Sequence, residues 1–96
     1  MQILWAEPAR DDLRRLFDYL LERNPAAARR IAAMIDRQVR GLADQPGMGR
    51  PGRVVGTREL VIVDTAYVVA YTVDQTAGVV AVLRVLHGAQ QWLERL

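Results

Sequence analysis

The sequence has no cysteine, no serine and no lysine, and it carries one histidine and one phenylalanine. Without cysteine there is neither a disulfide framework nor a thiolate metal ligand. Without serine or lysine there is no hydroxyl nucleophile of the serine type, no Schiff base and no P-loop lysine. A lone His87 excludes a multi-histidine zinc site, so neither a metal nor a cofactor is expected. No apolar run approaches the length of a membrane span and no charged-then-apolar leader opens the chain, which points away from the membrane and towards the cytoplasm. What these absences leave is acid–base work by His, Glu, Asp or Tyr, charge stabilisation by Arg, or binding without chemistry.

The chain is 96 residues long, which fits one domain, 1–96. A domain of this size buries only about 60–65% of its unfolded surface, so a partner that adds burial is a reasonable expectation. All 13 basic residues are arginine; against 11 acids they give a net charge of +2, a mild excess for a nucleic-acid binder.

Gln2 to Trp5 reads as a short edge strand. Glu7-Pro8 then opens a helix to about Glu22, with Ala9, Leu13, Leu16, Phe17 and Leu20 on one face. Arg10, Arg14 and Arg15 mark the other face, nearly neutralised by Asp11, Asp12 and Asp18. Asn24-Pro25 supplies an N-cap and a first-turn proline for a second helix to about Asp44, carried by Ala28, Ile31, Ile35, Val39 and Leu42. Two helices joined by so short a loop are expected to pack as an antiparallel hairpin.

Between Gln45 and Gly56 lie four of the seven glycines and two of the four prolines, with Arg50 and Arg53 and no acid. This is a connecting loop whose glycines suggest unusual backbone angles. The period then switches to two. Glu59 to Val63, Tyr67 to Val73 and Val79 to Leu86 read as three strands of an antiparallel meander. Strict alternation places Val79, Ala81, Leu83 and Val85 on one face of the last strand and Val80, Val82 and Leu86 on the other. Both faces therefore need cover: the helices supply one, and the tail from Gly88 to Leu96 or another protein supplies the other. The class is α+β: a short N-terminal strand, a two-helix hairpin, a three-stranded meander and a short C-terminal tail or helix.

This order resembles the RelE/ParE superfamily of toxins from bacterial type II toxin–antitoxin systems. The resemblance covers nearly the whole chain and is carried by Trp5-Ala6-Glu7-Pro8-Ala9, Asp12-Leu13, Asp18-Tyr19-Leu20 and Asn24-Pro25-Ala26-Ala27-Ala28. Pro46 to Arg53, Gly56-Thr57-Arg58-Glu59-Leu60, Tyr67 to Tyr71 and Leu83-Arg84-Val85-Leu86-His87-Gly88 complete it. It implies a compact toxin neutralised by a cognate antitoxin, whose helix and strand would cover apolar surface by groove filling and β-augmentation. It also implies one of two activities. ParE-like members inhibit DNA gyrase by binding, whereas RelE-like members cleave mRNA on the ribosome.

Metal-independent RNA cleavage needs a base for the 2′-hydroxyl, an acid for the leaving oxygen and charge at the phosphate. The catalytic candidates are His87, Arg58, Arg84 and Glu59, with Tyr67 or Tyr71 as further groups for proton transfer; Arg50, Arg53 and Arg58 are candidates for target or nucleic-acid binding. Meander geometry with Val63 opposite Tyr67 and Val73 opposite Val79 sets Glu59 beside Tyr71 and Ala81, six residues along from His87. At about 3.3 Å per residue that is roughly 20 Å, too far to share one proton. His87 instead falls near Asp64, Thr65 and Tyr67. The family's nucleases resemble one another in an arginine early in the strand matched by Tyr67 to Tyr71, where this chain has Val68, and several use lysines in the preceding loop. These departures favour gyrase inhibition by binding over a metal-independent ribonuclease; a non-toxic interaction module is the third reading.

Each candidate also has a plainer structural reading. His87 suits a strand end bonded to a loop, Arg84 a half-buried ion pair, Arg58-Glu59 a strand-entry salt bridge, and Arg50 and Arg53 solvated loop charges. In the tail, Trp92 and Leu93 either close the core or contact antitoxin or target.

Overall fold

The computed structural model describes residues 1–88. The elements are β1 (Gln2–Trp5), α1 (Glu7–Arg23), α2 (Pro25–Arg40), β2 (Arg50–Pro51), β3 (Arg58–Val61), β4 (Tyr67–Asp74) and β5 (Val79–His87), with a 3-10 turn at Gly41–Ala43. The strands form one mixed sheet in the order β1-β5-β4-β3-β2. β1 runs parallel to β5, and every other neighbour is antiparallel. The helical hairpin thus carries the chain from one edge of the sheet to the other.

Asn24 makes the hairpin tight because it ends one helix and starts the next. Its N–H donates to Leu20 O at 2.7 Å, and its side-chain oxygen accepts the Ala27 N–H at 3.1 Å. Pro8 and Pro25 occupy first-turn positions, where the missing N–H costs nothing. The second helix ends at Arg40 rather than near Asp44, because the chain tightens into the 3-10 turn from Gly41. That turn still buries Leu42.

Ala9, Ile35, Val39 and Leu42 pack on Leu60, Ile62, Val69, Tyr71, Val80, Val82 and Val85. Each fully buried aliphatic of this size contributes about 1.5–3 kcal/mol. By the alternation of β4, Val68 and Ala70 lie on the opposite face, where they too are buried. The expected cover of that face by the tail, and the roles expected of Trp92 and Leu93, lie outside the described residues.

Two expectations about the sheet are corrected. Ala70 pairs with Arg84 while Tyr71 pairs with Val82, so Leu83 is an extra residue in a β-bulge. The bulge switches the side-chain parity and brings Val85 onto the core face with Val80 and Val82, which strict alternation does not allow. The register is also displaced: Glu59 opposes Ala70, whose other neighbour is Arg84, only three residues from His87. His87 opposes Tyr67, in keeping with its expected place near that residue. β2, absent from the expected meander, adds a two-residue edge strand inside the glycine-rich loop.

Two of the four loop glycines serve close approach, one an unusual angle, and Gly47 neither. Of the four, only Gly56 has a left-handed φ, +85°. A Cβ on Gly49 would lie 2.6 Å from the Tyr71 hydroxyl, and one on Gly52 would collide with Thr57 Oγ1.

Candidate functional site

The arginine loop is held by three side chains of the sheet, Tyr71 and Arg58 from one face and Glu59 from the other. Tyr71, fully buried, rises from β4 so that its hydroxyl accepts the Gly49 N–H at 2.8 Å and donates to Pro46 O at 2.8 Å. Glu59, 2% exposed, accepts from Arg50 Nη2 at 3.0 Å and from the Arg53 backbone N–H at 2.8 Å, with Arg53 Nε 3.7 Å away. Arg58 donates to Gly49 O at 2.8 Å and to Gly47 O at 3.4 Å. A buried carboxylate persists only when paired and hydrogen-bonded, and Glu59 meets both conditions by drawing the loop onto itself.

Beyond Arg53 the loop turns. Gly52 N–H donates to Thr57 O at 2.8 Å, and the Thr57 hydroxyl donates to Val54 O at 2.6 Å. Val55 is thrust fully into solvent at this tip. The side chains of Arg50 and Arg53 remain about half exposed beside it, at 53% and 45%. Three arginines against one carboxylate make this end of the sheet a positive, projecting hairpin. Arg58 and Glu59 do not pair with each other as a strand-entry bridge, because neighbours on a strand point to opposite faces.

At the other end, β1 stops at Trp5 and leaves the edge of β5 beyond Val82 without a strand partner. Asp12 of α1 fills the gap. Its Oδ2 accepts the Val85 N–H at 2.9 Å, and its two oxygens take Arg84 Nε at 2.7 Å and Nη2 at 3.0 Å. The bond to Asp12 holds the Arg84 guanidinium above its ordinary pKa. Arg84 is therefore half-buried and paired. Asp12, counted in sequence among the solvated acids of the first helix, instead has a side chain only 8% exposed.

Asp12, Arg15, Tyr19, Tyr67, Arg84 and His87 line an open groove of about 470 Å³ beside this pair. The His87 ring meets Tyr67 edge-on with centroids 5.5 Å apart. Burial pushes the Tyr67 phenol above its ordinary pKa, and Tyr19 adds to the shift.

The four catalytic candidates thus fall in two places: Arg58 and Glu59 under the loop, Arg84 and His87 at the groove. From the register, Glu59 and His87 are about 10 Å apart along the sheet and two strands apart across it, roughly 14 Å in all. That is shorter than expected from sequence but still beyond sharing a proton. Tyr71 as the loop's anchor and Asp12 as partner of β5 are the residues that sequence reasoning missed. The signal for Asp12 was present, since it falls three residues after Ala9 and four before Leu16, on the buried stripe of the helix. Among the described residues no group of three or more His, Asp or Glu side chains is placed to hold a metal, and no helix is long and apolar enough to cross a membrane.

A two-helix hairpin on one face of a five-stranded mixed sheet is the architecture of the small α+β toxins of type II toxin–antitoxin systems. A chain of the chromosomal ParDE system from P. aeruginosa superposes with a TM-score of 0.79 at 26% identity, over 91% of this chain and 95% of that one. A chain of the RelBE2 toxin–antitoxin complex from Mycobacterium tuberculosis gives 0.68 at 27% identity, over 90% and 95%. Toxin Y4kP of Sinorhizobium fredii is 38% identical over 95% of this chain and 92% of its own length. Toxin RelE2 of Caulobacter vibrioides is 35% identical over 93% and 97%. Residues 3–92 match the family described as the ParE toxin of type II toxin-antitoxin system, parDE. The chain belongs to that family.

Proposed function

We propose that this toxin acts in the cytoplasm by binding DNA gyrase, without chemistry of its own, and is held inactive by a cognate antitoxin. The observation that carries the reading is the employment of the arginines. Arg50 and Arg53 are drawn to Glu59, Arg58 to the loop carbonyls and Arg84 to Asp12. The groups that cleavage would aim at a phosphate are engaged in holding the fold, and the buried carboxylate Glu59 is remote from His87. The loop they build presents Val55 with Arg50 and Arg53, an apolar tip with a basic rim, which is the composition of a protein contact.

The antitoxin reading is supported by two surfaces. An apolar groove lined by Leu13, Leu16, Phe17, Ala28 and Ala32 runs between the helices. The outer edge of β3 is covered by β2 only at Arg58 and Glu59, leaving Val61, 45% exposed and paired with Val68 on its inner side, without a strand on its outer side. A helix and a strand are the shapes these two surfaces accept.

Gyrase supercoiling with purified, folded toxin tests the reading; inhibition relieved by the product of the neighbouring gene is expected. Normal supercoiling at saturating toxin overturns it. A second reading, ribosome-dependent mRNA cleavage, is favoured by the groove that gathers His87, Tyr67, Tyr19 and Arg84. Primer extension showing new ends at A-site codons, abolished by His87→Ala, would establish it instead. Expression without growth arrest would leave a non-toxic interaction module.

A further inference from the structure

The exposed face of α2 is a row of arginines that neither the loop nor the groove uses. At about 100° per residue, Arg29, Arg40, Arg37 and Arg30 all project within an arc of about 100°. The other exposed residues of the arc are Ala26 and Ala33, with the exposed Asp36 about 20° beyond its edge. Asp36 is the single acid and pairs with Arg40 at 3.0 Å. Among the described residues, Arg29, Arg30 and Arg37 have no carboxylate partner. The contrast with α1 is informative: there four arginines are matched by Glu7, Asp11, Asp18 and Glu22, and Arg14–Asp11 and Arg23–Glu22 pair along the surface. A solvated face is normally mixed in sign, as α1 is. The face of α2 is not.

We infer that the outer face of α2 is a phosphate-tracking surface for duplex DNA, a contact beyond the proposed binding of gyrase. Three features select this occupant. A protein interface has an apolar centre, and this arc offers only the methyl groups of Ala26 and Ala33. Every cation is arginine, whose fork takes two phosphate oxygens at once. The spacing also fits. Arg29/Arg30 and Arg37/Arg40 form two pairs centred nine residues apart, about 13 Å along the helix. A B-DNA minor groove about 6 Å wide sets facing phosphorus atoms roughly 12 Å apart once the phosphate radii are added. Each pair of arginines would then sit on one strand, with the helix bridging the groove and reading no bases.

The test is fluorescence anisotropy of the full chain with a labelled duplex of about 20 base pairs, titrated at several salt concentrations. Three phosphates neutralised, or four if Arg40 leaves Asp36, predict a slope of log K against log salt of about −2.7 to −3.6, a loss of about 40- to 150-fold in affinity between 50 and 200 mM. Arg29→Ala/Arg30→Ala is expected to make the slope shallower by about 2. Arg10→Ala/Arg14→Ala on α1, which removes the same charge from the mixed face, is expected to leave it unchanged. Alanine favours the helix at all four positions, so the folds are retained. A wild-type slope shallower than −1, equal effects of the two double variants, or tighter binding to duplex RNA of the same sequence would each overturn the inference. Because gyrase is absent from this measurement, its failure leaves the gyrase reading intact, and loss of gyrase inhibition leaves the DNA contact intact.

Discussion

Asp12 and Arg84 form a two-pronged ion pair between α1 and β5, and Asp12 Oδ2 accepts the Val85 N–H as well as Arg84 Nε. One carboxylate therefore does two jobs: it neutralises a half-buried guanidinium and replaces the strand that β1 does not extend far enough to provide.

Removing that carboxylate leaves a half-buried charge and an orphaned N–H together. Asp12→Ala is expected to destabilise the fold by about 2–4 kcal/mol, and Arg84→Met by a similar amount, since it keeps the Val85 bond but strands the more deeply buried Asp12 carboxylate without its cation. For a domain of this size each kcal/mol lowers Tm by about 4–8 °C. Urea unfolding of the two single variants and the double variant checks this, with a coupling energy above about 1 kcal/mol expected between the sites.

Tyr71 and Gly49 are matched. Tyr71→Phe leaves the Gly49 N–H and the Pro46 carbonyl unpartnered, at about 1–3 kcal/mol, and frees the loop locally. Hydrogen exchange at Gly49 should rise while exchange in the middle of β4 changes little. Gly49→Ala places a methyl group against the Tyr71 hydroxyl and the Glu59 carbonyl, and is expected to displace the loop more than Tyr71→Phe does. Equal protection of Gly49 in wild type and Tyr71→Phe would contradict the anchoring role.

The pH dependence follows from Tyr67. Its phenol is held above its ordinary value of 10.0, so the folded state keeps the proton more tightly than the unfolded chain does. The stability this contributes is complete below about pH 10 and is lost as the pH rises through the folded pKa. Tyr67→Phe cannot titrate, so its urea midpoint should fall less than that of the wild type between about pH 9 and pH 11. Parallel curves would contradict the assignment.

Most of the fold was legible because it is written in local signals. The proline and asparagine at the helix starts, the apolar stripe through Ile35 and Val39, and the switch to period two after Gly56 each act over a few residues. The family resemblance added the order of elements. What was not legible depends on contacts distant in sequence. The bulge at Leu83 has no glycine to mark it, and the register of Glu59 depends on strand ends that the Val63 to Ala66 turn displaces by one residue. β2 is two residues long and holds its place through Glu59, not through any strand propensity of Arg50-Pro51. The candidate residues were recognised as types, but their partners are distant in sequence: Asp12 lies 72 residues from Arg84, and Tyr71 lies 22 and 25 residues from Gly49 and Pro46 of the loop.

Glu59 separates the structural from the catalytic reading of the loop. Glu59→Gln keeps the volume and an oxygen for the Arg53 N–H but removes the charge that Arg50 and Arg53 share. Its amide also brings two donors into a buried position that supplied only acceptors. We expect a loss of about 1–3 kcal/mol in stability, faster exchange of the Arg53 N–H, and weaker gyrase inhibition, because the basic hairpin is no longer held. Two measurements on the same variant distinguish the roles. If Glu59 only anchors the loop, inhibition should recover in part when the turn is stiffened independently, for example by Val54→Pro, provided that the variant's circular dichroism matches the wild type. If it acts on a substrate proton, mRNA cleavage should vanish in Glu59→Gln with stability and Arg53 exchange unchanged, and stiffening the turn should restore nothing.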